Sequence, residues 1–292
     1  MIEKYIVAYR EWLIMKNYAE YTIRAYTYSV IKFYNWCADC AKKKDWDKSQ
    51  AIKKYLVHRF DKEQKKWQTI NGDYSALRLF WKHILKREWK HEELPRPRKE
   101  QYIPDIPSVE EVQHLIAQAK NVKDRAFMLL LYSTGIRLGE ALHLEIKNID
   151  AGQKRIRIEK GKGAKTRYVP MPDMLLEELR IYYKQYRPYQ YLFNGKVLGK
   201  TWNDTRVQQF MKLAAKQAKI TKRISPHILR HAFATHSLKL GLDLVSLQKI
   251  LGHKYIKTTL GYIHLAELPV TSATNPIYQI KPLEREQTKS NN

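Results

Sequence analysis

The chain has 292 residues, more than one ordinary domain, and at roughly 150 residues per domain its length suggests about two. Hydrophobic residues at 44% with 12% aromatics, and only eleven Gly and eleven Pro, exclude a disordered or low-complexity chain. Lys and Arg number 54 against 29 Asp and Glu, and this net +25 points to a polyanionic partner, because nucleic-acid phosphates offset the self-repulsion and release condensed counterions on binding.

The basic excess is placed rather than smeared. Residues 151–250 hold 21 basic and 6 acidic side chains, whereas residues 101–150 hold 5 and 7. No run approaches the eighteen or so apolar residues of a membrane span, and MIEKYIVAYREW at the N-terminus is charged throughout, so a soluble, cytoplasmic protein with no membrane partner is expected. Cys37 and Cys40 form one CxxC in a stretch of helical pattern. With no second pair and no His at ligand spacing, they read as buried thiols on one helix face and not as a zinc or redox site.

In chain order, residues 1–92 read as a small helical bundle. Tyr26, Val30, Phe33, Tyr34 and Cys37 form one apolar stripe, and Tyr74, Leu77, Phe80, Trp81 and Ile84 form another. Lys42, Lys43, Lys44, Lys53, Lys54, Lys65 and Lys66 lie off those stripes, either lining a nucleic-acid backbone or simply solvated. Residues 93–107 carry LPRPRKEQYIPDIP, with four prolines in fourteen residues, and read as an extended linker.

The second body, 108–268, opens with Ser108 and Glu111 as a capping box and with Val109, Val112, Leu115 and Ile116 on one face. A buried helix over 126–132 should stop at Gly135 as a left-handed cap, with a new helix near Arg137. KRIRIEKGKGAKTRYVPMP then switches to period two and predicts a β-hairpin with Lys162 at its turn. From Leu175 to about Leu265 the spacing is helical again, and residues 269–292 read as a polar tail.

Four stretches place cationic or proton-transferring side chains at defined points. In TGIRLGEALHL, Arg137 follows the glycine cap with Glu140 three residues on; alone, the two read as a surface ion pair. Lys162 is flanked by Gly161 and Gly163 and could approach a bound backbone closely. On residues alone, Lys154, Lys160 and Lys165 are equal candidates for that role. In ISPHILRHAFATH, Ser225 reads as the N-cap and Pro226 as the first helical residue, which puts His227 and Arg230 on one face near free amide donors suited to an anion. His231 and His236 lack the HExxH pattern and a nearby acidic or thiol ligand, which disfavours a metal. In LGHKYIKTTLGYIH, Gly252 ends an amphipathic helix bearing Leu244, Leu247, Ile250 and Leu251. His253 lies in the turn, Thr258 is a candidate cap, and Tyr262 sits one turn into the next helix, where packing is the ordinary role of a Tyr.

Taken together, TGIRLGE, GKGAKTRYVP, SPHILRHAFATH and LGHKYIKTTLGYIH, in this order and spacing, resemble the signatures of the tyrosine recombinase family of phage integrases and Xer-type recombinases. NYAEYTIRAYTYSVIKFYNW and YSALRLFWKHI resemble the helical core-binding domain that precedes the catalytic domain in that family. The resemblance implies a mainly α fold with a small antiparallel β-sheet in the catalytic domain, an N-terminal helical (SAM-like) core-binding domain, and site-specific DNA recombination. It assigns Tyr262 as nucleophile on a scissile phosphate, Arg137 and Arg230 as clamps on the non-bridging oxygens, and His253 as a further donor. Lys162 would be general acid to the leaving 5′ oxygen, His227 would assist deprotonation of the tyrosine, and Glu140 would support Arg137. It implies duplex DNA as partner, a homotetramer on paired recombination sites that is a monomer or weak oligomer without DNA, and no metal or cofactor. The rival readings are a type IB topoisomerase-like relaxase and a non-catalytic DNA-binding or architectural protein. RNA binding is disfavoured because no stacking sheet is visible.

Overall fold

A computed structural model describes residues 2–40, 46–98, 104–159, 166–195, 197 and 199–266. The chain divides into two compact units, residues 1–102 and 103–292, each built on its own core.

The first unit is a bundle of α1 (Ile2–Met15), α2 (Glu20–Cys40), α3 (Ser49–Asp61) and α4 (Trp67–His83). Val30, Phe33 and Cys37 of α2 are buried, as are Tyr74, Leu77, Phe80 and Trp81 of α4, so both expected stripes face the core. Aromatic edges lock it: Tyr9 meets Phe80 at 5.4 Å and Phe33 meets Tyr55 at 5.3 Å, each edge-on, a geometry that contributes about 0.5–1.5 kcal/mol beyond area burial. The Tyr9 hydroxyl donates to the Ala76 carbonyl at 2.8 Å, which satisfies its polar end in the core. Packing continues past residue 92, for Leu94 is 3% exposed and its carbonyl accepts from the Tyr74 hydroxyl at 3.1 Å.

The second unit is organised around α6 (Val122–Thr134), which buries residues all round: Ala126, Phe127, Met128, Leu130, Leu131 and Thr134. Such a helix is stable only when surrounded, and α5 (Val109–Ala117), α8 (Asp173–Tyr186) and α10 (Pro226–Lys239) pack against it. The capping box at the start of α5 is formed, with Glu111 N–H donating to Ser108 Oγ at 3.2 Å and Ser108 N–H to Glu111 Oε2 at 2.7 Å. Val109 is 51% exposed and stands outside the apolar face of α5 expected for it.

After the short α7 (Leu138–Leu142), three strands form an antiparallel sheet in sequence order: β1 (Ile149–Asp150), β2 (Arg155–Ile158) and β3 (Arg167–Pro170). Ile158 pairs with Arg167 and Arg155 with Pro170. Period two buries Ile156, Ile158 and Val169, and it puts Arg167 on the same inward face as Val169. Lys160, Lys162 and Lys165, expected at a hairpin turn, lie outside the described residues. Lys154 pairs with Asp173 at 2.7 Å.

The continuous helical reading from Leu175 to Leu265 is corrected. Arg187, at φ 44°, ends α8 in the left-handed region, and an irregular segment follows that makes two isolated bridges, Glu145 with Tyr191 and Asn194 with Thr201. Asn203 then caps α9 (Asp204–Gln217). In the final segment, α11 (Leu244–Leu251) ends at Gly252 and α12 (Lys257–Ala266) includes Thr258 as its second residue, so Thr258 does not cap it. Among the described residues, no helix is long and apolar enough to cross a membrane.

Candidate active site

Three helix boundaries converge in the second unit. Gly135 closes α6 at φ 60° and Gly252 closes α11 at φ 64°, turns that a β-carbon would strain. The packing also opposes one: a Cβ on Gly135 would lie 2.3 Å from Phe233 Cδ1, and a Cβ on Gly252, at 3.0 Å from the Arg167 side chain, would push it aside. Both turns aim backbone carbonyls inward. The third boundary is the start of α10, where Ser225 Oγ accepts from Ile228 N–H at 3.3 Å and Pro226 sits in the first turn.

Arg230, 4% exposed, is held at that junction. Its guanidinium donates to the carbonyls of Gly135 and of Leu251, the latter at 2.8 Å, and approaches His253 Nε2 at 3.0 Å. Burial and then the neighbouring Arg137 push its pKa down to about 10, so it remains cationic at neutral pH. Arg137 is the residue preceding α7. Its backbone N–H donates to Glu140 Oε2 at 2.9 Å and its Nη1 to Glu140 Oε1 at 3.0 Å, while Nη2 reaches the Gly252 carbonyl at 3.3 Å. The pair read as surface decoration is therefore part of a junction between α7 and α11.

Sequence reasoning passed over Arg167. It grips both oxygens of Glu140, at 2.9 and 2.7 Å, and donates through Nε to the Ile250 carbonyl at 2.7 Å. The available signal was its place in the period-two strand, where an inward-facing arginine must find an anionic or carbonyl partner. Against the burial that would raise it, hydrogen bonds from Arg167 and the Arg137 backbone hold the Glu140 carboxyl down to about 2. Arg137 and Arg167 therefore share the Glu140 carboxylate while Arg230 bonds to none, leaving excess positive charge where solvent is partly excluded.

Tyr262, 6% exposed on α12, faces this cluster. Its hydroxyl lies 2.9 Å from His231 Nδ1, and its ring is parallel to that of His253 at 6.3 Å. Burial raises the phenol above its ordinary value, and the charges of Arg230 and Arg137 pull the other way. The His253 pKa is pushed down to about 4 by burial and then by Arg230, Arg137 and Arg167. Because arginine only donates, His253 Nε2 accepts from Arg230, and its Nδ1–H donates to Thr259 Oγ1 at 2.9 Å. His227 is exposed at the first turn of α10, its pKa lowered by surrounding protein atoms and then by Arg230 and Arg137.

The structure thus brings Arg137, Arg230, His253 and Tyr262 together, with His227 within electrostatic reach; Lys162 lies outside the described residues. His236 pairs with the Tyr132 hydroxyl at 2.9 Å, away from His231. No group of three His, Cys, Asp or Glu side chains is placed to hold a metal ion among the described residues.

Comparison with known proteins identifies the family. Residues 108–268 match the model of the phage integrase family, and residues 6–91 match the phage integrase N-terminal SAM-like domain. The chain is 30% identical over 295 residues to the tyrosine recombinase XerD of Staphylococcus aureus, covering 95% of this chain and 98% of that one. It is 36% identical over 228 residues to the putative integrase/recombinase y4eF of Sinorhizobium fredii, covering 78% of this chain and 91% of that one. Among solved structures it resembles XerA recombinase (26% identity, TM-score 0.53, covering 97% of this chain and 100% of that one). The fold is also that of a lambda integrase dimer bound to a COC′ core site (18% identity, TM-score 0.71, covering 88% and 96%). The mainly helical architecture with its three-stranded antiparallel sheet is the fold of these enzymes, and this chain belongs to the phage integrase family as a tyrosine-type site-specific DNA recombinase that breaks and rejoins DNA strands.

Proposed function

We propose that Tyr262 attacks a scissile phosphate in duplex DNA, forms a 3′-phosphotyrosyl link and releases a 5′-hydroxyl, and that attack by another 5′-hydroxyl exchanges the strands. The observation that carries this reading is the buried phenol set against three guanidinium groups, of which Arg137 and Arg167 share one carboxylate and Arg230 bonds to none. A phosphodiester transition state concentrates negative charge on its non-bridging oxygens, and cations fixed beforehand stabilise it without reorganising. Arg137 and Arg230 clamp those oxygens, where the planar fork outperforms an ammonium group. Glu140 and Arg167 keep Arg137 in place. Lys162 protonates the leaving 5′ oxygen, His227 assists from the first turn of α10, and His253 becomes a donor to the phosphate once its tautomer changes. The arginines supply the charge stabilisation a metal ion would otherwise provide, and the covalent link conserves the bond energy, so neither metal nor ATP enters the reaction.

Residues 1–92 serve as a core-binding domain and 108–268 as the catalytic domain, joined by the 93–107 segment, whose Leu94 packs with the first domain. A homotetramer on two paired sites follows from the need to bring four strands together. XerH was solved on a difH substrate in a post-cleavage complex, and its structure shares this fold at 22% identity with a TM-score of 0.68 over 86% of this chain and 78% of that one, which supports duplex DNA as the partner here.

The test is a suicide duplex, nicked beside the scissile phosphate and drawn from sequences the protein selects out of a random pool. The full chain forms a covalent adduct that Tyr262→Phe does not. An adduct persisting in the Phe variant overturns the assignment. Supercoil relaxation by monomers without recombinant product instead indicates a relaxase.

A further inference from the structure

To attack phosphorus, Tyr262 must give up its phenolic proton to a neighbouring group. Resemblance assigns assistance to His227, yet among the described residues no hydrogen bond joins His227 to Tyr262. The phenol is instead met by His231, the next residue after Arg230, at 2.9 Å. Consecutive residues of α10 point about 100° apart, a consequence of 3.6 residues per turn. Arg230 accordingly turns toward the carbonyls of Gly135 and Leu251, while His231 turns toward α12.

We propose that His231 receives the phenolic proton of Tyr262 during strand cleavage and returns it during rejoining. The inference rests on the reading of Tyr262 as nucleophile. Donor and acceptor chemistry fixes the direction of the bond. Arg230, beside the phenolic oxygen, has only N–H groups to offer it, so the phenolic hydrogen is free to point at His231 Nδ1, which accepts as a lone pair. The ring is then neutral and carries its own proton on Nε2. As the Tyr262 oxygen bonds to phosphorus, the phenolic proton passes to His231 Nδ1 and gives an imidazolium. The bond from phosphorus to the 5′ oxygen breaks with its electron pair, and Lys162 protonates that oxygen. In the rejoining direction an incoming 5′-hydroxyl gives its proton to the Lys162 amine as it attacks, and the imidazolium returns the other proton to the departing phenol. Both residues end as they began.

The surroundings suit this use. Charged and titratable groups facing the ring are His227 and Arg230 on its own helix, Tyr262 on α12, and His253 in the turn after α11; Tyr132 of α6 faces His236 instead. Burial, and then His227 and Arg230, lower the His231 pKa, which keeps the ring neutral and ready to accept at pH 7.

A duplex with sulfur in place of the bridging 5′ oxygen isolates the step, since a thiolate leaves without a proton. With the full chain on a selected site of this kind, adduct formation reads the loss of the Tyr262 proton without protonation of the leaving group. His231→Phe slows it by about 10²–10⁴-fold, the range of a lost acid–base catalyst. His231→Asn, whose side-chain oxygen lies near the place of Nδ1 and can accept but not keep a proton, slows it less and abolishes the fall in rate at low pH that His231 protonation produces. Adduct formation by both variants at the unaltered rate and pH profile, with unaltered DNA binding in gel shifts, overturns the proposal. Absence of adduct in the unaltered protein overturns the nucleophile assignment instead. Should the His231 variants fail to bind DNA, the imidazole titration followed by nitrogen NMR decides. Loss of the phenol in Tyr262→Phe raises the His231 pKa by about half to one unit if the bond is as described, and an unchanged titration refutes it.

Discussion

Two arginines, one in each unit, are buried to the same 4% exposure under opposite conditions. Arg59 in the first unit donates to Asp73 at 2.9 Å and to Glu63, and Lys32 also reaches Glu63 at 3.1 Å, so cations and carboxylates balance. Despite burial, Asp73, Tyr55 and Glu63 raise the Arg59 pKa. Arg230 meets carbonyls and an imidazole but no carboxylate, and its pKa is driven down to about 10. A balanced arginine cements a fold. One left short of negative charge can take up an anion, and on the proposed reading that anion is the scissile phosphate.

The same substitution separates the two roles. Arg59→Leu leaves Asp73, itself 4% exposed, facing no cation, and should destabilise the first unit by about 3–5 kcal/mol in denaturant melts. Arg230→Leu removes a charge that nothing offsets. Its melting should fall by less than that of Arg59→Leu, because relief of the unpaired buried charge offsets part of the cost of the two carbonyls left without donors, while adduct formation on a suicide duplex falls by about 10²–10³-fold. Equal destabilisation by the two would erase the distinction. Next in size, Gly135→Ala forces a β-carbon against Phe233 at a left-handed φ and should cost about 2–4 kcal/mol. It also displaces the carbonyl that anchors Arg230, so activity in whatever fraction stays folded should drop as well.

These contrasts explain what the sequence could and could not disclose. The capping box at Ser108 and Glu111, the glycine stops at 135 and 252, and the Ser225–Pro226 start of α10 are decided within four residues, and they were legible. Arg167 and His231 owe their importance to partners 27 and 31 residues away, and no local spacing announces such pairs. His231 was weighed only as a metal ligand beside His236, because both are histidines on one helix; the fold sends one to Tyr262 and the other to Tyr132. The break after α8 was missed for a related reason. Arg187 takes a left-handed conformation that its side chain does not advertise, and the irregular chain beyond it is held by bridges to Glu145 and Thr201.

Acidification probes the same charge imbalance from both sides. Glu140, depressed to about 2, contributes stability that is present above its unfolded value near 4.5 and lost as pH falls toward 2, about 3 kcal/mol when complete. His253, depressed to about 4, stabilises above the unfolded histidine value of 6.5. Between 6.5 and 4 the unfolded chain binds a proton that the folded one refuses, so stability declines there by up to about 3 kcal/mol. Melting of the second unit should therefore weaken first below pH 6.5 and again below 4.5. Glu140→Gln should flatten the second step alone, and sulfate seated among the arginines should ease the first.

The smallest expected effect concerns the hydroxyl behind His253. Thr259 is fully buried and accepts from Nδ1–H, which leaves Nε2 to accept from Arg230. For His253 to donate to a phosphate, the ring must carry its proton on Nε2, and a hydroxyl permits this because it can turn and donate to Nδ1 in its place. Valine has the same shape and no such freedom. Thr259→Val should thus cost about 1 kcal/mol in stability and slow single-turnover cleavage by about 5–10-fold, while Thr259→Ser keeps both near the unaltered values. Cleavage by the Val variant at the full rate would mean that His253 stays an acceptor throughout, and that its task is to hold Arg230 for the phosphate and not to touch the phosphate itself.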